Sequence, residues 1–153
     1  MDAETYPDPG VERLVRESFV PVRIKVREHP ELMERFGANW TPTILVLDPD
    51  GVERHRIEGF LPADDFAAQL LLGLGHSAFA RGDFAEAERR FDHVLREHAA
   101  TDSAAEAQYW KGVARYKRTG NAGELTATYR AFQERYRNTT WAKKASVWAP
   151  TAA

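Results

Sequence analysis

The sequence contains no cysteine. That absence excludes disulfides, thiol nucleophiles, cysteine-ligated zinc and iron–sulfur clusters from these 153 residues. Long apolar runs are missing too: the longest uncharged one, Phe66 to Leu74, is far short of the ~20 residues that span a bilayer. The first residues carry neither a basic n-region nor the apolar stretch of an export signal, so the expectation is a cytoplasmic chain. A net charge of −2 advertises neither nucleic acid nor an anionic membrane as a partner. There is no glycine-rich phosphate loop, and neither a cofactor nor a metal is expected. His29, His55, His76, His93 and His98 never show the i, i+4 spacing of a helical zinc site, so they read as structural or solvated. Asp48 and Asp50 before Gly51 lack the remaining ligands of a calcium loop. His76-Ser77 has no nucleophile elbow around it.

What is present is an ordinary globular composition, 43% apolar and 29% charged, enough for one domain or two small units sharing a core. The nearly balanced charge hides an asymmetry. Residues 1–75 hold 8 Lys/Arg against 14 Asp/Glu, whereas residues 76–153 hold 13 against 9. Strand-like β-branched runs end by Gly59, and everything after Pro62 reads as helix. The chain therefore divides near Gly73 to Gly75, into a segment 1–73 and a helical segment 74–149.

In the first segment, Asp8-Pro9-Gly10 suits the start of a helix carrying Val11, Leu14, Val15 and Phe19. Val20, Val22, Ile24 and Val26 alternate with Pro21, Arg23, Lys25 and Arg27, which predicts a strand burying one face. Pro30 opens a short helix that Gly37 closes. The unbroken run Ile44-Leu45-Val46-Leu47 predicts a strand covered on both faces. Asp48-Pro49-Asp50-Gly51 is a turn leading to a returning hairpin strand at Val52–Glu58, and Pro62 with Asp64 and Asp65 starts another helix.

This order resembles the later two-thirds of a thioredoxin domain. The resemblance is carried by Phe19-Val20-Pro21-Val22, His29-Pro30-Glu31-Leu32, Phe36-Gly37, Thr41-Pro42-Thr43, Asp48-Pro49-Asp50-Gly51 and Gly59-Phe60. It implies that Pro42 is the cis proline that faces the redox dithiol in that family. It also implies a central strand and a Cys-x-x-Cys helix start before Met1, between the Val20–Val26 strand and the Thr43–Leu47 strand. Without that strand both neighbours expose unpaired N–H and C=O groups. The two must then pair directly, accept a strand from another chain, or belong to a longer protein whose start lies upstream of Met1.

The second segment resembles the tetratricopeptide repeat family. Leu74-Gly75-His76, Ala78-Phe79, Gly82-Asp83-Phe84, Ala87 and Phe91 match one repeat, with Gly75 and Ala87 where two helices cross and Phe91 filling the groove. A looser unit follows: Tyr109-Trp110, Gly112, Ala114 and Tyr116 on its first helix, then Leu125, Tyr129, Phe132 and Tyr136 on its second. Trp141, Ala145 and Trp148 suggest a closing helix.

The fold class expected is therefore α/β plus α: a truncated thioredoxin-like sheet with a C-terminal tetratricopeptide-like helical array. The resemblance implies a thioredoxin-related protein of thiol–disulfide exchange type. Because exchange begins with a thiolate, the chain as given is redox-inactive and has no catalytic residue. It would be a disulfide oxidoreductase only if a Cys-x-x-Cys segment lies upstream. The alternative is a non-catalytic module that binds proteins through the repeats and the Pro42 loop. Trp40, Thr41, Pro42 and Thr43 are the candidate peptide-binding residues, although Trp40 packing on Phe36 is the competing assignment. Tyr109, Trp110 and Tyr116 are candidate partner-binding residues, against a plain core role. Arg115, Lys117 and Arg118 suit a solvated, basic helix end. The expected partners are proteins or peptides, with a homodimer through an unpaired strand edge as a further option.

Overall fold

The computed structural model describes residues 1–151. Helix α1 (Pro9–Ser18) starts where the sequence places it: the Asp8 carboxylate accepts hydrogen bonds from the Gly10 and Val11 amides at 2.8 and 3.0 Å, satisfying orphan donors of the first turn. Helix α2 (Pro30–Arg35) is short and ends before Gly37, which takes φ 57°. Strands β1 (Thr43–Leu47) and β2 (Glu53–Glu58) form an antiparallel hairpin, with Ile44 opposite Ile57, Val46 opposite His55 and an irregularity after Val46. The Asp48 carboxylate shapes the turn by accepting from the Asp50 and Val52 amides. Those amides, together with the Arg54 guanidinium, hold its carboxyl below the usual carboxylate range.

The expected Val20–Val26 strand does not form. Val20 is 91% exposed, Val22 77% and Ile24 43%, and β1 and β2 make the one sheet among the described residues. A strand is a property of a pair. Fixing each residue costs about 1–2 kcal/mol, and no ladder or buried face is available here to offset it. The direct pairing with β1 that would close the sheet is therefore not made. Nor is β1 covered on both faces: Val46 is buried, while Leu47 is 40% exposed.

The remaining elements are helical: α3 (Ala63–Ala80), α4 (Phe84–Glu97), α5 (Ser103–Thr119), α6 (Gly123–Glu134), α7 (Thr140–Ala145) and a 3-10 turn, Ser146–Trp148. Helix α3 runs unbroken past Gly73 and is apolar nearly all round, the pattern of a helix buried on several sides. Phe66, Ala67 and Leu70 pack with Val11, Val46 and Ile57. Ala68, Leu71, Leu72 and Ala78 pack instead with Ala87, Phe91 and Val94 of α4 and with Ala107 and Ala114 of α5. A third cluster joins Ala105, Phe132, Ala142 and Ala145. Tyr136, expected within the last repeat helix, lies beyond α6 at φ 58°. There its carbonyl accepts from the Thr139 amide and hydroxyl. The closing helix likewise stops at Ala145, so Trp148 sits on the 3-10 turn.

Helix crossings are set by glycine. A Cβ on Gly75 would lie 2.5 Å from the Phe91 ring, and one on Gly112 would lie 1.9 Å from the Thr128 hydroxyl. In each hairpin the large or branched partner follows the glycine by sixteen residues. Helix propensity alone would make Gly75→Ala and Gly112→Ala stabilising by about 1 kcal/mol. Overpacking at such contacts costs about 1–3 kcal/mol, so both variants are expected to unfold at lower urea than the parent. Equilibrium urea curves followed by circular dichroism check this.

Candidate peptide-docking site

The loop between α2 and β1 is held from both sides. Arg56, on β2 opposite Leu45, donates to the carbonyls of Phe36 and Gly37 at 2.5 and 3.4 Å. Glu53 orients the guanidinium through contacts of 2.7 and 2.8 Å, and Glu58 adds one at 3.4 Å. Hydrogen bonding to Glu53 raises the Arg56 pKa, and the same contact holds the Glu53 carboxyl below its ordinary range. At the far end, the Gly59 amide donates to the Pro42 carbonyl at 2.8 Å. The Thr43 hydroxyl donates to the Trp40 carbonyl at 2.7 Å.

Within this frame the Thr41–Pro42 bond is cis, as the resemblance implies. Trp40 is 68% exposed. Its ring therefore stands mostly in solvent instead of being covered by Phe36. Phe60, half-exposed and directly after Gly59, is an aromatic that sequence reasoning did not single out. Beside the loop, β1 is hydrogen-bonded to β2 along one edge only. The arrangement offers an extended segment a backbone edge and two exposed rings, the elements of strand addition. The chain has no cysteine to bring a thiol to it, and no group of three or more His, Asp or Glu able to hold a metal occurs among the described residues.

Tyr109, Trp110 and Tyr116 lie together on α5, all partly buried. Tyr109 stacks on Trp148 with ring centroids 4.8 Å apart and also meets Trp141. Trp110 meets Phe79 in an edge-to-face arrangement at 5.4 Å and His76 at 5.2 Å. Lys144 lies 4.0 Å above the Trp141 ring. Arg115 and Arg118 are not simply solvated: both bond Glu88 of α4, at 2.7 and 2.9 Å.

One polar chain ties the hairpin to the helices, and a second link joins α3 to α5. His55 of β2 bonds Gln69 of α3, which donates to the buried Ser103 of α5 at 3.0 Å. His76 of α3 bonds Glu106 of α5 at 3.0 Å, and its ring stacks 5.7 Å from that of His55. Burial pushes the His55 pKa down, with the neighbouring His76 acting in the same direction. At the other end, fully buried Thr5 donates its hydroxyl to the Leu61 carbonyl at 2.6 Å, anchoring the N-terminal turn beside α3. Thr5 and Arg56 also escaped sequence reasoning. Their partners lie far away in the chain, and neither position carries a local motif.

Comparison with known proteins places the first segment: residues 1–73 match the family described as thioredoxin-like domain. No curated protein and no solved structure matches the chain. The small sheet with its helices is thus a truncated thioredoxin-like fold followed by a helical array. No helix among the described residues is long and apolar enough to cross a membrane.

Two predictions follow from this geometry. Arg56→Leu strips the Phe36 and Gly37 carbonyls and both glutamates of their shared cation. The partly exposed setting limits the stability loss to about 1 kcal/mol, while amide exchange across residues 37–43 is expected to accelerate several-fold; hydrogen exchange by mass spectrometry measures it. The second concerns pH. A His55 pKa lowered by folding means that the unfolded chain takes up the proton first. Stability is therefore full above the ordinary value of 6.5 and falls as the pH drops from there towards the folded-state value. The lowered carboxylates contribute losses only in the acidic range below their ordinary values near 4. Melting temperature is expected to fall between pH 7.5 and 5.5, and less steeply for His55→Gln.

Proposed function

We propose that this chain is the substrate-side scaffold of a thioredoxin-related protein of thiol–disulfide exchange type, holding an extended polypeptide against Trp40, Thr41, Pro42 and Thr43. One observation carries the reading: a largely exposed Trp40 on the Pro42 loop, next to a β1 edge that no strand among the described residues occupies. Backbone pairing along β1 would supply affinity that tolerates many sequences, and Trp40 would cover the bound segment. The electron chemistry needs a thiolate, and the chain has no cysteine. The sulfur must therefore come from a segment outside these residues or from another protein.

The absence of cysteine favours a second reading, a non-catalytic interaction module. In that reading the helices act as tetratricopeptide-like repeats, which the matched glycine crossings at Gly75 and Gly112 support. The half-buried Tyr109, Trp110 and Tyr116 would contribute to a partner surface, and a second copy pairing along β1 would make a dimer.

Both readings require that the isolated chain not accelerate insulin reduction by dithiothreitol. Turnover above the dithiothreitol background would overturn them. The docking claim is tested separately with reduced, alkylated insulin B chain. Amide shifts are expected at Trp40–Thr43 and along β1, and Trp40→Ala should weaken binding about tenfold, equivalent to ~1.4 kcal/mol. Shifts confined to α5 would support the second reading and sink the first.

A further inference from the structure

The outer face of α4 and the adjoining side of α5 carry two contiguous depressions. One, of about 400 Å3, runs between the helices and is lined by Glu88, Lys111, Arg115 and Arg118. The other, of about 500 Å3, lies along α4 over Glu86, Arg90, His93 and Arg96. They share Arg89 and Asp92, which makes them one surface.

Six cations and three carboxylates line this surface, and Glu88 and Glu86 lie deeper than the arginines bonded to them. The Glu88 side chain is 13% exposed and Glu86 24%, whereas Arg115, Arg118 and Arg89 are 42%, 45% and 68% exposed and Arg96 65%. Glu88 and Glu86 form the floor together with Lys111, 24% exposed, while Arg90 and Asp92, at 31% and 35%, lie between floor and rim. Burial there would push Glu86 and Glu88 up, but the arginines bonded to them hold both below the usual range. Each guanidinium has five donors in a fixed fork, and a floor carboxylate occupies at most part of it. The outward donors are left facing solvent. A concave surface with one sign of charge at its rim concentrates field and attracts the opposite sign. The sequence asymmetry agrees, since the positive surplus of the chain lies in residues 76–153.

We propose that this α4–α5 surface docks an acidic polypeptide segment, its Asp and Glu side chains bridging the outward guanidinium edges of Arg89, Arg96, Arg115 and Arg118. A peptide fits better than a nucleic acid. The floor carboxylates sit within the groove and would repel a closely spaced phosphate backbone, whereas a peptide can space its carboxylates to avoid them. The site is separate from the proline loop and does not depend on it.

The test uses the whole chain and a fluorescein-labelled twelve-residue peptide of alternating Glu and Ala, read by anisotropy at 50 and 300 mM NaCl. Binding should be saturable at low salt and at least tenfold weaker at high salt. Arg89→Glu/Arg96→Glu reverses two exposed rim charges without touching the Glu88 pairs, and should lower affinity at least tenfold. Arg13→Glu/Arg16→Glu on α1, away from this face, should change it less than twofold. Circular dichroism melting confirms that each variant is folded. No saturable binding at 50 mM NaCl, equal loss in both double variants, or tighter binding of a twelve-nucleotide oligo-uridine than of the peptide would each overturn the proposal.

Discussion

Everything else in the molecule depends on α3 being gripped from opposite sides. Gly73 and Gly75 are two residues apart, about 200° around a helix at 3.6 residues per turn. At Gly73 the absent side chain admits Val46 of β1, and at Gly75 it admits the Phe91 ring of α4. One helix thereby serves as the floor of the hairpin and the first wall of the helical stack. A helix with apolar residues around nearly its whole circumference cannot stand at a surface, so the hairpin and α4 must both be present for α3 to be folded. The polar links run the same way: His55 to Gln69 to Ser103 spans β2, α3 and α5 in two hydrogen bonds. The division of the chain near Gly73 falls inside this shared helix.

That arrangement explains why a truncated sheet can hold a defined loop. A lone two-stranded hairpin is marginal in water, but β1 and β2 lie on α3 through Val46 and Ile57. The hairpin in turn fixes the Trp40–Thr43 loop through Arg56 and Gly59. The support is therefore tertiary on one face and absent on the other edge. Val20, Val22 and Ile24 remain in solvent for the same reason: α3 reaches one side of the hairpin only, and no strand among the described residues supplies a second neighbour along β1.

The parts legible in the sequence were those whose cause is local. Asp8 before Pro9 gives a cap, Gly37 and Gly120 end helices in left-handed conformations, and Asp48-Pro49-Asp50-Gly51 turns the hairpin. The small residues at Gly75 and Gly112 were read from likeness to a repeat family, in which a close helix crossing demands them. The Val20–Val26 pattern was also locally correct, yet its period of two encodes only a readiness to pair. Whether a pair forms depends on a neighbour elsewhere in space. The same limit hid Arg56, whose alternating strand context gives no hint that it reaches back twenty residues to the Phe36 carbonyl. The cis Pro42 came from family likeness, not from physics, because composition does not select one isomer.

The shape of the proline loop does not depend on sulfur. The loop is shaped by backbone bonds at Pro42 and Gly59, by Thr43 and by one buttressed arginine, none of which involves sulfur. Removing a thiol would leave these contacts intact, so the absence of cysteine bears on turnover and not on whether the loop is formed. The same holds for the charged face. Cations on α4 and α5 are fixed by carboxylates beside them, which holds their side chains outward at little further entropic cost on binding. A surface ordered in advance at the loop and at the cationic face would bind by offering what is already in place.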